Sequence, residues 1–135
     1  MKFYALLILP LGTDVYDGSA VEAAAARLMQ PFEMWRDDGP PGEWDYYWCC
    51  TREWLVEHGE DLAEWPAALA DAGHLVVPVD ALCEGDATFA VVTPEPGWFN
   101  SRATYTDDDA AWGGRAVEIF RGFPGHYAVL AYCHG

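Results

Sequence analysis

Apolar residues at the two ends of the chain form continuous runs rather than alternating patterns. Residues 1–9 are almost entirely apolar, which predicts a strand with both faces covered. Residues 127–133 form a similar run after a turn at Pro124 and Gly125. The chain is therefore expected to begin and end in central strands of one sheet.

Helical spacing follows the first strand. Residues 21–29 carry apolar side chains at intervals of three and four, which predicts an amphipathic helix. Ser19 followed by Glu22 is typical of a capping box at the start of a helix. Pro31 is expected to end the helix, because the residue before a proline avoids helical backbone.

The regular pattern breaks at residues 32–73, which predict an insert. A cluster of Asp, Gly and Pro at residues 37–42 is typical of a surface turn. The aromatic run at residues 44–50 fits either a strand or a packed irregular segment. Residues 51–73 are helix-tolerant but interrupted by glycine, and Pro66 fits the first turn of a second helix. Two short helices are expected there.

The remaining pattern predicts two strands and a helix. Residues 74–79 and 87–92 are β-branched runs separated by a short polar turn, which predicts antiparallel neighbours. Asp107, Asp108 and Asp109 precede an apolar helical pattern, and a helix N terminus favours negative charge in its first turn. The last helix is therefore expected to begin at these aspartates.

The order strand, helix, insert, strand, strand, helix, strand predicts an α+β fold. Without the insert it is the βαββαβ order of ferredoxin-like folds, in which two helices cover one face of an antiparallel sheet. We expect one domain spanning residues 1–135, with the helical and aromatic insert (residues 32–73) between the first helix and the second strand.

Charge narrows the possible partners. The chain has 22 acidic and 7 basic side chains, a net charge of −15, while 52% of its residues are hydrophobic. Such a chain can fold around a core, but it lacks the clustered Lys and Arg that hold nucleic acid or an anionic membrane. No apolar stretch is long enough to span a bilayer. The pattern favours a cytoplasmic protein with no direct nucleic-acid or membrane binding.

The cysteines and histidines do not specify a reactive site. Cys49, Cys50, Cys83 and Cys133 are expected to be reduced and mostly buried. Adjacent cysteines do not reproduce zinc-ligand spacing, and no second suitable pair follows. Cys133 beside His134 lacks any catalytic signature. No metal, cofactor or catalytic residue is predicted, and enzymatic activity is left open.

Three short motifs lie far apart in the chain: Trp44-Asp45-Tyr46-Tyr47, Val92-Thr93-Pro94 followed by Trp98, and the terminal Tyr132-Cys133-His134. Together they resemble a family of small uncharacterised proteins from phages and high-GC bacteria. In that family, paired glycines stand where this chain has Cys49 and Cys50, and aspartate stands in place of Tyr132. The resemblance implies a mobile-element origin and brings no known activity.

Charge and this resemblance suggest an inhibitor that binds a basic host protein. Acidic residues recur at helical spacing in the insert without the Lys or Arg that usually accompanies them, and tryptophan is favoured at interface hot spots. The predicted partner is a nucleic-acid-binding defence effector of the CRISPR or restriction type, inhibited by nucleic-acid mimicry. The predicted partner-binding residues are Glu57, Glu60, Asp61, Glu64, Asp107, Asp108, Asp109, Trp44 and Trp54.

Two other interpretations remain open. The aromatic insert beside His58 and His74 could form a lid over the sheet in a small-molecule-binding protein or enzyme. The acidity could also serve only the solubility of an accessory phage protein. Neutralising the acidic residues at helical spacing in the insert discriminates between nucleic-acid mimicry and small-molecule binding, since only a mimic would lose its partner.

Overall fold

The computed structural model describes residues 1–34, 42–58 and 65–135, which form a mixed sheet with three helices. The helices are α1 (Gly18–Met29), α2 (Arg52–His58) and α3 (Trp112–Arg121). The strands are β1 (Lys2–Ile8), β2 (Tyr46–Cys49), β3 (Val76–Pro78), β4 (Ala90–Thr93), β5 (Gly97–Asn100) and β6 (Tyr127–His134).

The two terminal strands lie at the centre of the sheet, as predicted. The strand order is β2-β6-β1-β4-β5. β1 pairs antiparallel with β6 from Lys2 opposite His134 to Ile8 opposite Ala128, and it pairs in parallel with β4. Both faces of these two strands are covered, which explains why their sequences are continuous apolar runs.

One edge of β6 is shared by β2 and β3. β2 pairs with residues 131–134 of β6, and β3 pairs with residues 127–129. The chain leaves this edge near Thr51 and returns at His74, where these two residues form an isolated bridge. α2 lies in the intervening segment, so much of the insert is an excursion from a single sheet edge.

α1 and α3 cover opposite faces of the sheet. Phe3, Ala5 and Leu7 of β1 pack in the core with α1, whereas Leu6 and Ile8 pack with α3. The connections β1–α1–β2 and β5–α3–β6 both join parallel strands and cross the sheet in the same direction. They start from strands that point in opposite directions, so a common right-handed crossover places their helices on opposite faces.

The α+β class is therefore confirmed, but the ferredoxin-like order is not. Residues 74–79 and 87–92 do not form neighbouring strands, because β3 pairs with β6 while β4 pairs with β1 and β5. β5 was not predicted; it forms a hairpin with β4 across the turn at Pro94–Pro96. The helices do not share one face, in contrast to the prediction.

Several local predictions were also wrong. α1 is capped by Asp17, whose carboxylate accepts from the Ser19 N–H, rather than by a Ser19–Glu22 box. α3 begins at Trp112, so the three aspartates precede the helix instead of forming its first turn. Residues 65–73 are not helical, so no second insert helix begins at Pro66. The predicted surface turn lies largely outside the described residues.

Candidate functional site

The described carboxylates lie at the surface and are mostly without basic partners. None belongs to a buried residue. Within the described ranges, Asp109 is the one carboxylate paired with an arginine, while Glu22 and Asp45 contact His74 and His134. The negative charge is therefore a surface property, and most of it is not neutralised within this part of the chain.

The predicted acidic residues do not form one patch in the described part of the chain. Glu57 is exposed on α2, and Asp107 and Asp108 are exposed between β5 and α3. α2 packs near β2 and β6, towards the edge of the sheet opposite to β5. Four strand spacings, roughly 19 Å, separate β2 from β5. Three further predicted acidic residues lie outside the described residues: Glu60, Asp61 and Glu64.

Asp109 is set apart from its two neighbours by its contacts. Its carboxylate accepts hydrogen bonds from the Arg115 guanidinium at 2.7 and 3.3 Å and from the Arg102 N–H at 2.8 Å. These bonds lower the pKa of Asp109 to about 2. The Arg115 guanidinium also lies over the Trp112 ring, 5.4 Å from its centre. Asp109 thus joins the loop to α3 and is less available to a partner than Asp107 or Asp108.

The two predicted tryptophan anchors are only partly exposed. The Trp44 indole N–H donates to the Met29 carbonyl at 2.8 Å, and its ring meets Tyr47 edge-on. The Trp54 indole N–H donates to the Tyr4 hydroxyl at 3.1 Å. Both side chains support the fold, so neither is a free apolar anchor.

Two aromatic side chains of β2 are more exposed than these tryptophans. Tyr46 and Trp48 are 42% and 40% exposed, and their rings stack with centres 5.9 Å apart. The Trp48 ring also stacks on Tyr132 at 5.1 Å and contacts Trp54 at 5.4 Å. Period-two alternation could have identified this face, because Tyr46 and Trp48 point away from the side that buries Cys49.

An Asp–His pair lies at the end of this aromatic face. The Nδ1 atom of His134 is 2.6 Å from the Asp45 carboxylate, and this hydrogen bond lowers the pKa of Asp45. The Tyr46 ring stacks on the imidazole at 4.8 Å. No Ser, Thr or Cys side chain of the described residues is hydrogen-bonded to His134, so the pair lacks an adjacent nucleophile. It joins the start of β2 to the end of β6.

Three of the four cysteines lie in the core, and the fourth lies at the surface. Cys49, Cys50 and Cys133 are buried and free, as predicted, while Cys83 is exposed. Burial raises the pKa of Cys50 and of Cys133 to about 12, which disfavours their reactive thiolate forms. Among the described residues, no group of three or more His, Cys, Asp or Glu side chains is arranged to hold a metal ion.

Comparisons with known proteins do not identify the chain. No protein-family model matches it, and no curated protein or solved structure is significantly similar to it. No helix within the described ranges is long and apolar enough to cross a membrane. The resemblance to the phage and high-GC bacterial family stays a prediction.

Proposed function

We propose that this protein is a non-catalytic acidic protein of phage or other mobile-element origin. It binds a basic, nucleic-acid-binding defence effector in the host cytoplasm and inhibits it by presenting carboxylates where that effector binds phosphates. The main support for this proposal is that every described carboxylate is at least partly exposed. Of these described carboxylates, only that of Asp109 pairs with an arginine. A partner with a basic groove would supply the missing countercharges.

Long-range electrostatics supports this proposal. A net charge of −15 on 135 residues steers a basic partner toward the protein before contact, and charge complementarity raises the association rate. The ordered core allows the carboxylates to be displayed without the ordering cost that a disordered acidic tail would incur on binding. A pre-folded acidic surface is suited to competing with a nucleic acid.

Affinity capture from host lysate tests the proposal. The tagged protein is expected to retain a nucleic-acid-binding protein and to release it as NaCl rises from about 50 mM to about 500 mM, because salt screens exposed charges. Added duplex DNA should release the same protein. In a purified mixture, this protein should displace labelled DNA from its partner in a fluorescence anisotropy titration.

The matched variants separate specific recognition from bulk charge. The triple variant Glu57→Gln, Asp107→Asn, Asp108→Asn removes exposed charges at the predicted sites. A control with three neutralised carboxylates elsewhere, at Asp14, Asp71 and Glu95, has the same net charge. Recovery of no nucleic-acid-binding protein, or of a partner that binds DNA equally well in the complex, would disprove nucleic-acid mimicry.

A small-molecule-binding role is the second candidate, and the packing of α2 favours it. Trp54 of α2 contacts the Tyr132 ring at 5.0 Å, so part of the insert covers the sheet as the lid hypothesis expects. A cavity of about 380 Å³ lies nearby, lined by Tyr4, Trp65 and Phe89 among others. Retention of ligand binding by the triple charge variant, without any captured protein partner, would favour this role.

A further inference from the structure

A cavity lies between α3 and the segment after β3. It is a half-open groove of about 620 Å³. Its floor includes Val79, Leu82 and Phe120, all buried members of the core that packs under α3. These three side chains are 1–8% exposed and the lining residue Val117 is half-buried, so the groove meets only the edge of this apolar core.

Carboxylates surround this apolar floor. Asp80 and Glu84 line the groove from the segment after β3, and Glu118 lines it from α3. All three are exposed, and within the described ranges none forms an ion pair with a basic side chain. Arg121 supplies the one positive charge among the lining residues, so the lining carries a net charge of about −2.

Local backbone structure holds the two acidic walls in place. Residues 79–81 and 84–86 form short 3₁₀ turns, and the Asp80 carboxylate accepts a hydrogen bond from the Gly125 N–H at 3.0 Å. α3 approaches Glu84 through Gly113, where an added Cβ would lie 3.3 Å from both the Glu84 carbonyl oxygen and its Cβ. The close packing of α3 against the segment after β3 therefore forms the groove.

We infer that this groove binds an arginine side chain of the basic protein partner. The three methylenes of arginine can cover the apolar floor, while its planar guanidinium donates to carboxylates on the rim. A metal ion would gain nothing from the apolar floor, and a neutral ligand would leave the carboxylates unpaired. This inference rests on the proposed function for its partner and assigns the anchor point of that interaction.

Cys83 provides a reporter inside the groove. It lines the cavity and is exposed, whereas the other three cysteines are buried. Its reaction with 4,4′-dithiodipyridine is measured with N-acetyl-arginine amide at constant ionic strength. At a probe concentration near its Kd the rate should fall roughly twofold, because half of the grooves are occupied. The citrulline analogue, a neutral isostere, should leave the rate unchanged.

Charge-matched variants locate the effect. Glu84→Gln/Glu118→Gln should abolish protection of Cys83, whereas Glu53→Gln/Glu95→Gln, with the same net charge, should retain it. Circular dichroism is the check that both variants fold. Absence of protection by the arginine probe, equal protection by citrulline, or protection that persists in the groove variant would overturn the inference.

Partner capture separates this inference from the proposed function. The groove variant should bind the captured partner at least roughly tenfold more weakly, as expected for the loss of a hot-spot contact, while the control variant retains binding. Equal binding by both variants overturns the groove assignment and leaves nucleic-acid mimicry standing. If the wild-type protein captures no basic partner, the proposed function fails, and the Cys83 assay alone decides whether the groove binds arginine.

Discussion

Asp109 differs from the other acidic residues because its charge is used inside the molecule. Its carboxylate is bound by the Arg115 guanidinium and by the Arg102 N–H, and its side chain is 10% exposed. The run of three aspartates suggested a shared role, but the sequence does not show which of the three meets an arginine six positions later. That distinction depends on how the loop enters α3.

Substitution Asp109→Asn should destabilise the protein at neutral pH, and the loss should disappear in acid. The pairing lowers the pKa of Asp109 from 3.8 to about 2 in the folded state, so its stabilising effect is complete above about pH 4. The effect is lost as the pH falls through the folded pKa near 2, where the carboxyl is protonated. Urea unfolding at pH 7, 4 and about 2.5 measures the difference from wild type.

Glu95→Gln is the charge-matched control for Asp109→Asn. Glu95 is exposed and makes no ion pair in the described structure, so its neutralisation should leave stability unchanged or slightly raise it by reducing self-repulsion. A difference between wild type and Asp109→Asn that stays constant from pH 7 to about pH 2.5 would contradict a charge-dependent role.

Long elements with one regular pattern of apolar residues could be predicted from the sequence. The pairing of short strands with distant parts of the chain could not. β1, β6 and α1 follow from runs of seven or more residues in which local pattern and burial agree. β5 spans four residues that begin with glycine, and its strand conformation depends on the hairpin with β4. β2 and β3 were recognisable as strand-like segments, but their common partner β6 lies far later in the chain, near its C-terminal end.

The β4–β5 hairpin depends on the absence of a side chain at Gly97. A Cβ there would lie 2.7 Å from the Thr93 Oγ1 and 3.0 Å from the Phe99 ring. We expect Gly97→Ala to lower the free energy of unfolding by about 1–2 kcal/mol, because overpacking outweighs the roughly 0.5–1 kcal/mol that alanine gains over glycine in a strand. The urea unfolding midpoint checks this expectation.

Gly73→Ala is a suitable comparison for Gly97→Ala. A Cβ at Gly73 meets no atom within 4 Å, and the backbone there is not left-handed. That substitution should be neutral or stabilise by a few tenths of a kcal/mol, because alanine restricts the unfolded chain. If both variants unfold at the same urea concentration, the close approach at Gly97 has no energetic consequence.

At the scale of the whole molecule, the sequence predicts charge better than its arrangement. The composition predicted a strongly negative chain with a folded core, and the described carboxylates all belong to residues outside that core. It could not reveal the groove beside α3, because Asp80, Glu84 and Glu118 come together only through the packing of α3 on the segment after β3. The candidate anchor is therefore a product of tertiary structure.

The same charge should make the free protein more stable as salt rises. Fifteen uncompensated negative charges repel one another in the folded state, and raising NaCl from about 10 mM to about 150 mM shortens the screening length from about 30 Å to about 8 Å. A gain of roughly 1 kcal/mol would raise Tm by about 4 °C. Thermal unfolding followed by circular dichroism measures this gain, and choline chloride should reproduce it because screening depends on ionic strength rather than on sodium. Binding of a basic partner should weaken over the same range, so stability and affinity change in opposite directions.

A Tm that stays constant below about 150 mM salt would mean that the carboxylates are already neutralised, by basic side chains or bound cations. The protein would then lack the open negative surface that a basic partner requires.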